Sequence, residues 1–238
     1  MHGLAQRRLT PELMDDPSLD PQEHDHALAG LRRLNAAAGS ARPIATAIRR
    51  LVPHDEQTIT LADVATGSGD VAAAVATRLA RTGLAVRLQL IDTSERALAE
   101  AADRCRRHGI EHECVQIDAT ANALAAELDA DIAMCSLFLH HLTIDDATGV
   151  LAAMRTKSRL GVVASDLKRS RLGYGLAWLA GRVLTRSRVV HVDSLLSVRA
   201  GWSRDELASV AHDAGMASAT ITGSWPERWV LAWDARHG

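Results

Sequence analysis

The chain has 238 residues, of which 47% are hydrophobic and 24% are charged, and its formal net charge is −2. This composition is typical of a globular protein and excludes long disordered regions, which combine low hydrophobicity with high net charge. A charge this close to zero argues against a dedicated nucleic-acid binder, and the first 137 residues contain no aromatic side chain that could stack on bases.

The three cysteines, Cys105, Cys114 and Cys135, have no CxxC spacing, which is typical of proteins in a reducing compartment. The first residues show no apolar run behind a basic start, so no signal peptide is expected. No stretch is as long and apolar as a membrane-spanning helix. We therefore expect a cytoplasmic protein without a stable membrane insertion.

Helical patterns dominate residues 1–57, which we predict to form an N-terminal cap. Two sites, Thr10-Pro11 and Asp20-Pro21, place proline after a capping residue, a common way to begin a helix. Apolar residues then recur at helical spacing, and we predict helices over residues 21–34 and 43–51.

From residue 58 onward, short apolar runs alternate with helical patterns. Such alternation predicts an α/β fold in which helices cover both faces of a mostly parallel sheet. The predicted strands are residues 58–65, 86–91, 113–117, 132–136 and 160–165, and the predicted helices are residues 70–81, 94–107, 121–128 and 144–154.

The alternation stops after Asp166. Residues 167–200 are basic and leucine-rich, and we predict that they form an insertion in a single domain over residues 58–238. A helix should follow over residues 203–214, with Ser203 and Glu206 as a capping box. The last two runs, residues 217–224 and 228–233, flank a short polar turn and predict an antiparallel hairpin.

The segment DVATGSGD, residues 63–70, is the strongest chemical signal in the chain. A strand enters a glycine turn that opens a helix, and Asp92 ends the next strand, where a carboxylate can accept hydrogen bonds from a ribose. Gly67-Ser68-Gly69 with Ala72 also fits the dinucleotide pattern, so the turn alone leaves the nucleoside cofactor open. Asp63 favours a cofactor that carries positive charge, because a second carboxylate would repel a pyrophosphate.

The order of these segments resembles the class I S-adenosylmethionine-dependent methyltransferases over roughly residues 20–238. The similar segments are DVATGSGD, LIDTS, QIDA and ADIAMCSLFLHHL, followed by the hairpin. The resemblance implies a Rossmann-like, seven-stranded, mostly parallel sheet in the order 3-2-1-4-5-7-6, with helices on both faces and a helical N-terminal cap. Ala65-Thr66 departs from the family pattern, since many members have glycine followed by cysteine or serine there.

The resemblance also implies S-adenosylmethionine as the cofactor and a set of residues that bind it. Asp63, Gly67 and Gly69 would face the methionine part, and Asp92 would bind the ribose. Ala65, Thr66 and Thr93 belong to the same two segments, Asp118 and Ala119 would lie by the adenine, and Ser136 and Leu137 would flank the methyl end.

His140 and His141 follow the fourth strand, at the sheet edge where ligands bind in such folds. Imidazole titrates near neutral pH, so either residue is a candidate base or substrate anchor. A pair that only packs or caps a helix explains the sequence about equally well. His108, His112 and Cys114 lack a recognised metal-binding spacing, and no metal site is expected.

The insertion supplies the candidate substrate residues. Arg169 or Arg171 could anchor an anionic group, and Tyr174 and Trp178 could form apolar walls of a substrate lid, with His191 as a weaker candidate. A basic amphipathic helix on a membrane surface and an ordinary packed helix are the competing interpretations.

We therefore predict methyl transfer from S-adenosylmethionine to a small molecule, with a phenolic or hydroxylated cyclic compound of the quinone or polyketide type as the favoured acceptor. A nicotinamide-dependent oxidoreductase and a degenerate fold that serves as a binding subunit are the alternatives. No nucleic-acid partner is expected, and a homodimer is left open.

Overall fold

A computed structural model describes residues 4–15 and 18–237 of the chain. Its centre is a seven-stranded sheet in the order β3-β2-β1-β4-β5-β7-β6. Strands β1 to β5 pair in parallel, and β7 pairs antiparallel with both β5 and β6. The strands are Thr58–Val64 (β1), Ala85–Asp92 (β2), His112–Gln116 (β3), Ala130–Ser136 (β4), Ser158–Leu167 (β5), Thr220–Ser224 (β6) and Arg228–Asp234 (β7). The predicted sheet, including the final hairpin, is confirmed.

Helices cover both faces of the sheet, and their bounds fall within a few residues of most predictions. The described residues form the helices Pro21–Ala38 (α1), Ala41–Leu51 (α2), Asp70–Ala80 (α3), Glu95–His108 (α4), Ala121–Glu127 (α5), Ile144–Lys157 (α6), Arg171–Leu184 (α7), Arg188–Ala200 (α8) and Arg204–Asp213 (α9). The capping box of Ser203 and Glu206 is present at the start of α9. The predicted strand over residues 160–165 is longer at both ends in the structure, where β5 runs from Ser158 to Leu167.

Two hydrophobic clusters hold the layers together. One cluster joins α2, α3 and α4 to the odd-numbered side chains of β1, such as Leu61, and the other joins α5, α6 and α9 to even-numbered ones, such as Val64. Successive strand residues point to opposite faces, so each strand contributes to both clusters. A fully buried leucine such as Leu61 contributes about 2 kcal/mol through removal of apolar surface from water.

A third group of helices lies over the carboxyl ends of the parallel strands. Helix α1 packs on α7 and α8, and α8 also contacts the one-turn helices Leu13–Asp15 and Leu139–His141. Arg7 fixes the N-terminal segment to this edge, because its guanidinium donates to the carbonyl oxygens of Leu139, His140, Leu142 and Ala200. None of the helices in residues 4–15 and 18–237 combines the length and hydropathy that crossing a membrane requires.

Candidate active site

A cavity of about 600 Å³ lies between the carboxyl edge of the sheet and the helices over it. Its walls come from the turn after β1, the segment after β4, one side of α7, and the loop between β6 and β7. In parallel α/β sheets, ligands bind at this edge because the loops that follow neighbouring strands converge there. The cavity therefore joins the predicted cofactor turn to the predicted catalytic histidines.

The glycine turn after β1 has the backbone conformation that its sequence predicts. Gly67 and Gly69 both have positive φ angles, 54° and 67°, and Gly69 lies so close to α4 that an added Cβ atom would be 2.7 Å from the Ala101 Cβ atom. A Cβ atom on Gly67 would meet nothing within 4 Å, so only its φ requires glycine. Ala65 takes the position of the missing family glycine and adopts a positive φ of 58°, which is unfavourable for a residue with a side chain.

Asp63 is buried beneath this turn. Thr66 donates its hydroxyl to Asp63 Oδ2 at 2.7 Å, and the buried Oδ1 atom has no hydrogen-bond partner among the described residues. Burial, with help from the charges of Asp70 and Asp92, raises the pKa of Asp63 to about 7. A buried carboxylate oxygen without a donor is costly, and a cationic ammonium group would satisfy it. The site therefore fits a cofactor that carries an amino group, as S-adenosylmethionine does.

Asp92 ends β2 and links two predicted cofactor segments. Its carboxylate accepts the Gly67 N–H at 2.8 Å and the Ser94 N–H at 3.0 Å, which holds the glycine turn against the end of β2. A carboxylate has further lone pairs that can accept ribose hydroxyls. Thr93 and Asp118 are exposed and Ala119 is buried where β2 and β3 end, so these residues lie along the same edge but outside the cavity.

Ser136 and Leu137 line the cavity where β4 ends. Leu137 has a positive φ of 56°, and its N–H donates to the Ser165 carbonyl at 2.8 Å. The hydroxyl of Ser136 is buried without a hydrogen-bond partner in the described part of the chain. Strained backbone and unsatisfied polar atoms are common at ligand sites, and both occur here where the methyl end was predicted.

His140, which lines the cavity, forms a buried pair with Asp166. The His140 Nδ1 atom lies 2.7 Å from Asp166 Oδ1, and the His140 backbone N–H donates to Oδ2 at 2.9 Å. Burial alone would lower the pKa of His140, but the charge of Asp166 and its hydrogen bond, together with the charge of Glu12, outweigh burial and raise it. Burial likewise opposes the ionisation of Asp166, yet the charge of His140 and the hydrogen bonds to Oδ1 and Oδ2 hold its pKa below the usual range.

His141 has a different environment from His140, although their ring centroids are only 4.2 Å apart. One side of His141 is exposed, but the loss of solvent around the rest of the ring and the charge of His140 lower its pKa to about 4. His141 is therefore neutral at pH 7 and is a weaker proton acceptor than His140.

Glu12, His140 and His141 are the three described residues whose ligand atoms could hold a metal ion, since these atoms lie within 4.8 Å of one another. Two imidazoles and a carboxylate are a donor set that transition metals accept. The guanidinium of Arg7 donates to the His140 carbonyl at 3.0 Å and lowers the pKa of both histidines through its charge. That positive charge opposes a divalent cation at the same place.

The structure places the five predicted substrate residues outside the cavity lining. Arg169 forms two hydrogen bonds with Glu206, each of 2.8 Å, and also donates to the carbonyls of Leu4 and Gly201. Arg171 is exposed at the start of α7. Both arginines were predicted as anchors for an anionic group, and Arg169 instead ties α9 and the N-terminal segment to the end of β5.

The predicted aromatic walls, Tyr174 and Trp178, are also outside the lining of the cavity. Trp178 is 47% exposed with the Arg182 guanidinium 4.3 Å from its ring, and the Tyr174 hydroxyl accepts a hydrogen bond from Arg199. His191 contacts the Thr185 carbonyl at 3.0 Å through Nε2. The side of α7 that lines the cavity is small and aliphatic, with Gly173, Leu176, Ala177, Ala180 and Leu184.

Several charged lining residues were not predicted as site residues, among them Glu12, Lys168 and Arg228. Arg228 begins β7 beside the end of β5, so the predicted strand order could have placed it at the site. Asp166 could have been found in the same way, because it lies near the end of β5. Strand β5 is a neighbour of β4, the strand that precedes His140. Glu12 carries no such signal, since it lies in a segment without regular hydrophobic spacing.

Residues 61–160 match a family model described as a methyltransferase domain. A comparison with curated proteins found no match. The fold is shared with many solved structures, of which three illustrate the range of similarity.

The pyocyanin biosynthetic protein PhzM is 20% identical, with a TM-score of 0.57 over 85% of this chain and 57% of that chain. A putative O-methyltransferase from Nostoc punctiforme PCC 73102 is 18% identical, with a TM-score of 0.57 over 86% and 60% of the two chains. The plantazolicin methyltransferase BpumL, in complex with S-adenosylhomocysteine (SAH), is 14% identical, with a TM-score of 0.66 over 90% of each chain.

The chain thus spans less than two thirds of the length of the first two of these proteins, and at such identities the likeness is one of fold. A likeness in fold alone does not identify a family of enzymes. The match to the family model adds sequence similarity at the site itself, because the matched residues include the glycine turn, Asp92 and the histidine segment. Residues 61–160 therefore resemble a methyltransferase domain, in agreement with the family that the motifs indicated.

Proposed function

We propose that the chain transfers the methyl group of S-adenosylmethionine to a hydroxyl oxygen of a small, mostly apolar, cyclic molecule. The observation that carries this proposal is the buried pair of His140 and Asp166, which opens on the same cavity as the glycine turn. A proton acceptor is needed when a hydroxyl is the nucleophile, because the oxygen loses its proton as it gains the methyl group.

The donor end of the cavity is formed by the segments that resemble the family's cofactor site. When bound, S-adenosylmethionine supplies an electrophilic methyl group on a sulfonium sulfur. In this proposal Asp63 and the turn residues Ala65, Thr66, Gly67 and Gly69 hold the amino acid part. Asp92, Thr93, Asp118 and Ala119 hold the adenosine, while Ser136 and Leu137 lie at the methyl end.

The acceptor end is formed by His140. Nδ1 donates to Asp166, which leaves the lone pair of Nε2 available for a proton. Nε2 of His140 would take the proton that an acceptor hydroxyl loses on methylation, and the cofactor held by Asp63 and the glycine turn would supply the methyl group. Asp166 and Glu12 stabilise the imidazolium that results, and Arg7 opposes it, in line with the raised pKa of His140.

The kind of acceptor is indicated by the part of the cavity wall that α7 and α8 form. Leu176, Ala177, Ala180 and Leu184 of α7 and Val198 of α8 give this wall an aliphatic surface. Such a surface favours a flat or cyclic hydrocarbon framework, with polar recognition left to a few groups. One solved structure with this fold contains apigenin, and another is magnesium protoporphyrin IX methyltransferase, so cyclic ligands are compatible with the architecture.

Calorimetry and a methyl-transfer assay together test the proposal. We expect SAH to bind the purified chain and NAD(P) not to bind, and we expect mass spectrometry of a panel of phenols, amines and thiols to show methylated phenols. Binding of the dinucleotide alone would favour the oxidoreductase alternative. Binding of SAH without turnover on any acceptor class would favour a binding subunit.

A further inference from the structure

Arg228 is a buried cation in the lining of the cavity. It begins β7, where it pairs with Leu167 of β5 and Ser224 of β6, and it retains only 6% of its accessible surface. Arg228 and Lys168 are the two residues with permanently basic side chains among the described lining residues. The arginines of the insertion were predicted to anchor an anionic group of the substrate, whereas Arg228 lies on the sheet.

The register of the sheet shows which layer Arg228 faces. Val230, two residues later on β7, packs in the cluster with α2, α3 and α4, and residues two apart on a strand share a face. Leu61 of β1 packs in that same cluster, so Asp63 shares the face as well. An anionic and a cationic side chain therefore lie on one face of the sheet, on either side of β4 and β5. Asp70, the first residue of α3, is close enough for its charge to act on both.

Electrostatics also favours a negative group near Arg228. Burial lowers its pKa to about 10, although the charges of Asp166 and Asp70 act in the opposite direction. The guanidinium is still charged at neutral pH, and a desolvated cation gains more from an anionic ligand than a solvated one does. Lys168 is a poorer candidate, because its ammonium nitrogen is placed 4.4 Å from the centre of the Trp229 ring.

We propose that Arg228 binds the α-carboxylate of the amino acid part of the cofactor, while Asp63 faces its α-ammonium group. The two side chains together match the zwitterion of an amino acid, which neither a nicotinamide dinucleotide nor adenosine carries. The identity of the ligand rests on the proposed function, whereas the presence of a carboxylate subsite is tested separately.

Calorimetry on the full chain tests this assignment with two ligands, SAH and its decarboxylated analogue, which lacks only the α-carboxylate. Arg228→Met should weaken SAH binding about 10- to 100-fold, the range expected for loss of charge-assisted hydrogen bonds. The same variant should leave the affinity for the decarboxylated analogue unchanged. Arg228→Lys should restore part of the SAH affinity, and Lys168→Met is the matched control that should bind both ligands as the wild type does.

The outcomes separate this inference from the proposed function. Equal losses for the two ligands in Arg228→Met, or no loss for SAH, would overturn the carboxylate subsite while the cofactor assignment stands. A wild-type chain that binds neither ligand would overturn both. Thermal unfolding identifies a variant that has lost its fold. If Arg228→Met has lost its fold, the wild type and Arg228→Lys test the subsite instead. The wild type should bind the decarboxylated analogue more weakly than SAH, and this difference in affinity should be smaller in Arg228→Lys.

Discussion

The Nδ1 atom of His140 lies 2.7 Å from Oδ1 of Asp166, and both side chains are almost entirely buried. The pair joins the segment after β4 to the end of β5, which are neighbours in the sheet. Because the Asp166 carboxylate also accepts the backbone N–H groups of His140 and Leu167, the orientation of the imidazole is fixed by the main chain. A fixed imidazole with one free nitrogen is suited to accept a proton from a bound hydroxyl.

The pH dependence of kcat/KM should follow the ionisation of His140. The base must be neutral, so the rate should rise with pH through an apparent pKa above that of free imidazole, since Asp166 and Glu12 raise the pKa against burial and Arg7. Asp166→Asn removes one of those negative charges. The kcat/KM of this variant should therefore begin to rise at a lower pH and reach a smaller maximum value. His141 does not contribute to the rise, because it is already neutral in this pH range. A profile without this rise, or a shift of Asp166→Asn to higher pH, would contradict the assignment.

Ala177 and Trp178 provide neighbouring tests of the acceptor wall. Ala177 lines the cavity, while Trp178 is 47% exposed on the outer side of α7. Ala177→Phe should fill acceptor space and raise KM for the acceptor about tenfold or more. SAH affinity, measured by calorimetry, should not change. Trp178→Ala should leave both constants near their wild-type values, and an effect confined to Trp178 would place the acceptor on the outer face instead.

The sequence predicted the layers better than it predicted the substrate side of the site. Apolar runs alternating with helical patterns indicate a parallel sheet, and the glycine turn requires positive φ angles, so local chemistry determined both features. Helix α7 is different, because apolar side chains occur all around it and periodicity cannot tell which face is inward. Its small residues Gly173, Ala177 and Ala180 line the cavity, while the aromatic ones do not.

Contacts between segments that are far apart in the chain explain the other differences between the predicted and the observed site. Nothing near Arg169 in the chain shows that Glu206 will meet it, since that contact requires the end of β5 and the start of α9 to come together. The same holds for Glu12, which reaches the histidines only when the N-terminal segment folds over the sheet edge. Asp166 and Arg228 could be inferred from the strand order, because each lies at the carboxyl edge on a strand beside the site.

Arg169 should contribute to stability rather than to catalysis. Its side chain is 5% exposed and pairs with Glu206 through two hydrogen bonds. Arg169→Met should lower the free energy of unfolding by about 2 kcal/mol, because the half-buried Glu206 carboxylate and the carbonyls of Leu4 and Gly201 lose their donor. Urea unfolding measures this loss, and the exposed Arg171→Met serves as the control, with a change below about 0.5 kcal/mol. A strong effect on acceptor KM in folded Arg169→Met would return this residue to the substrate site.

Removal of metal ions should not change turnover. The donor atoms of Glu12, His140 and His141 are close enough for a metal, but the positive charge of Arg7 lies beside them. Dialysis against EDTA should therefore leave kcat unchanged. Loss of activity on chelation that is restored by a divalent ion would show that the cluster holds a metal instead.

The most direct test of the account is single-turnover methyl transfer to a phenolic acceptor by the wild type and His140→Gln, with SAH affinity measured alongside. We predict that His140→Gln loses about 10²- to 10⁴-fold in rate, as expected for loss of a general base, and keeps its SAH affinity. The matched His191→Gln variant, which lies outside the cavity, should keep both. An unchanged rate in His140→Gln would contradict the claim that this histidine accepts the proton of the acceptor hydroxyl.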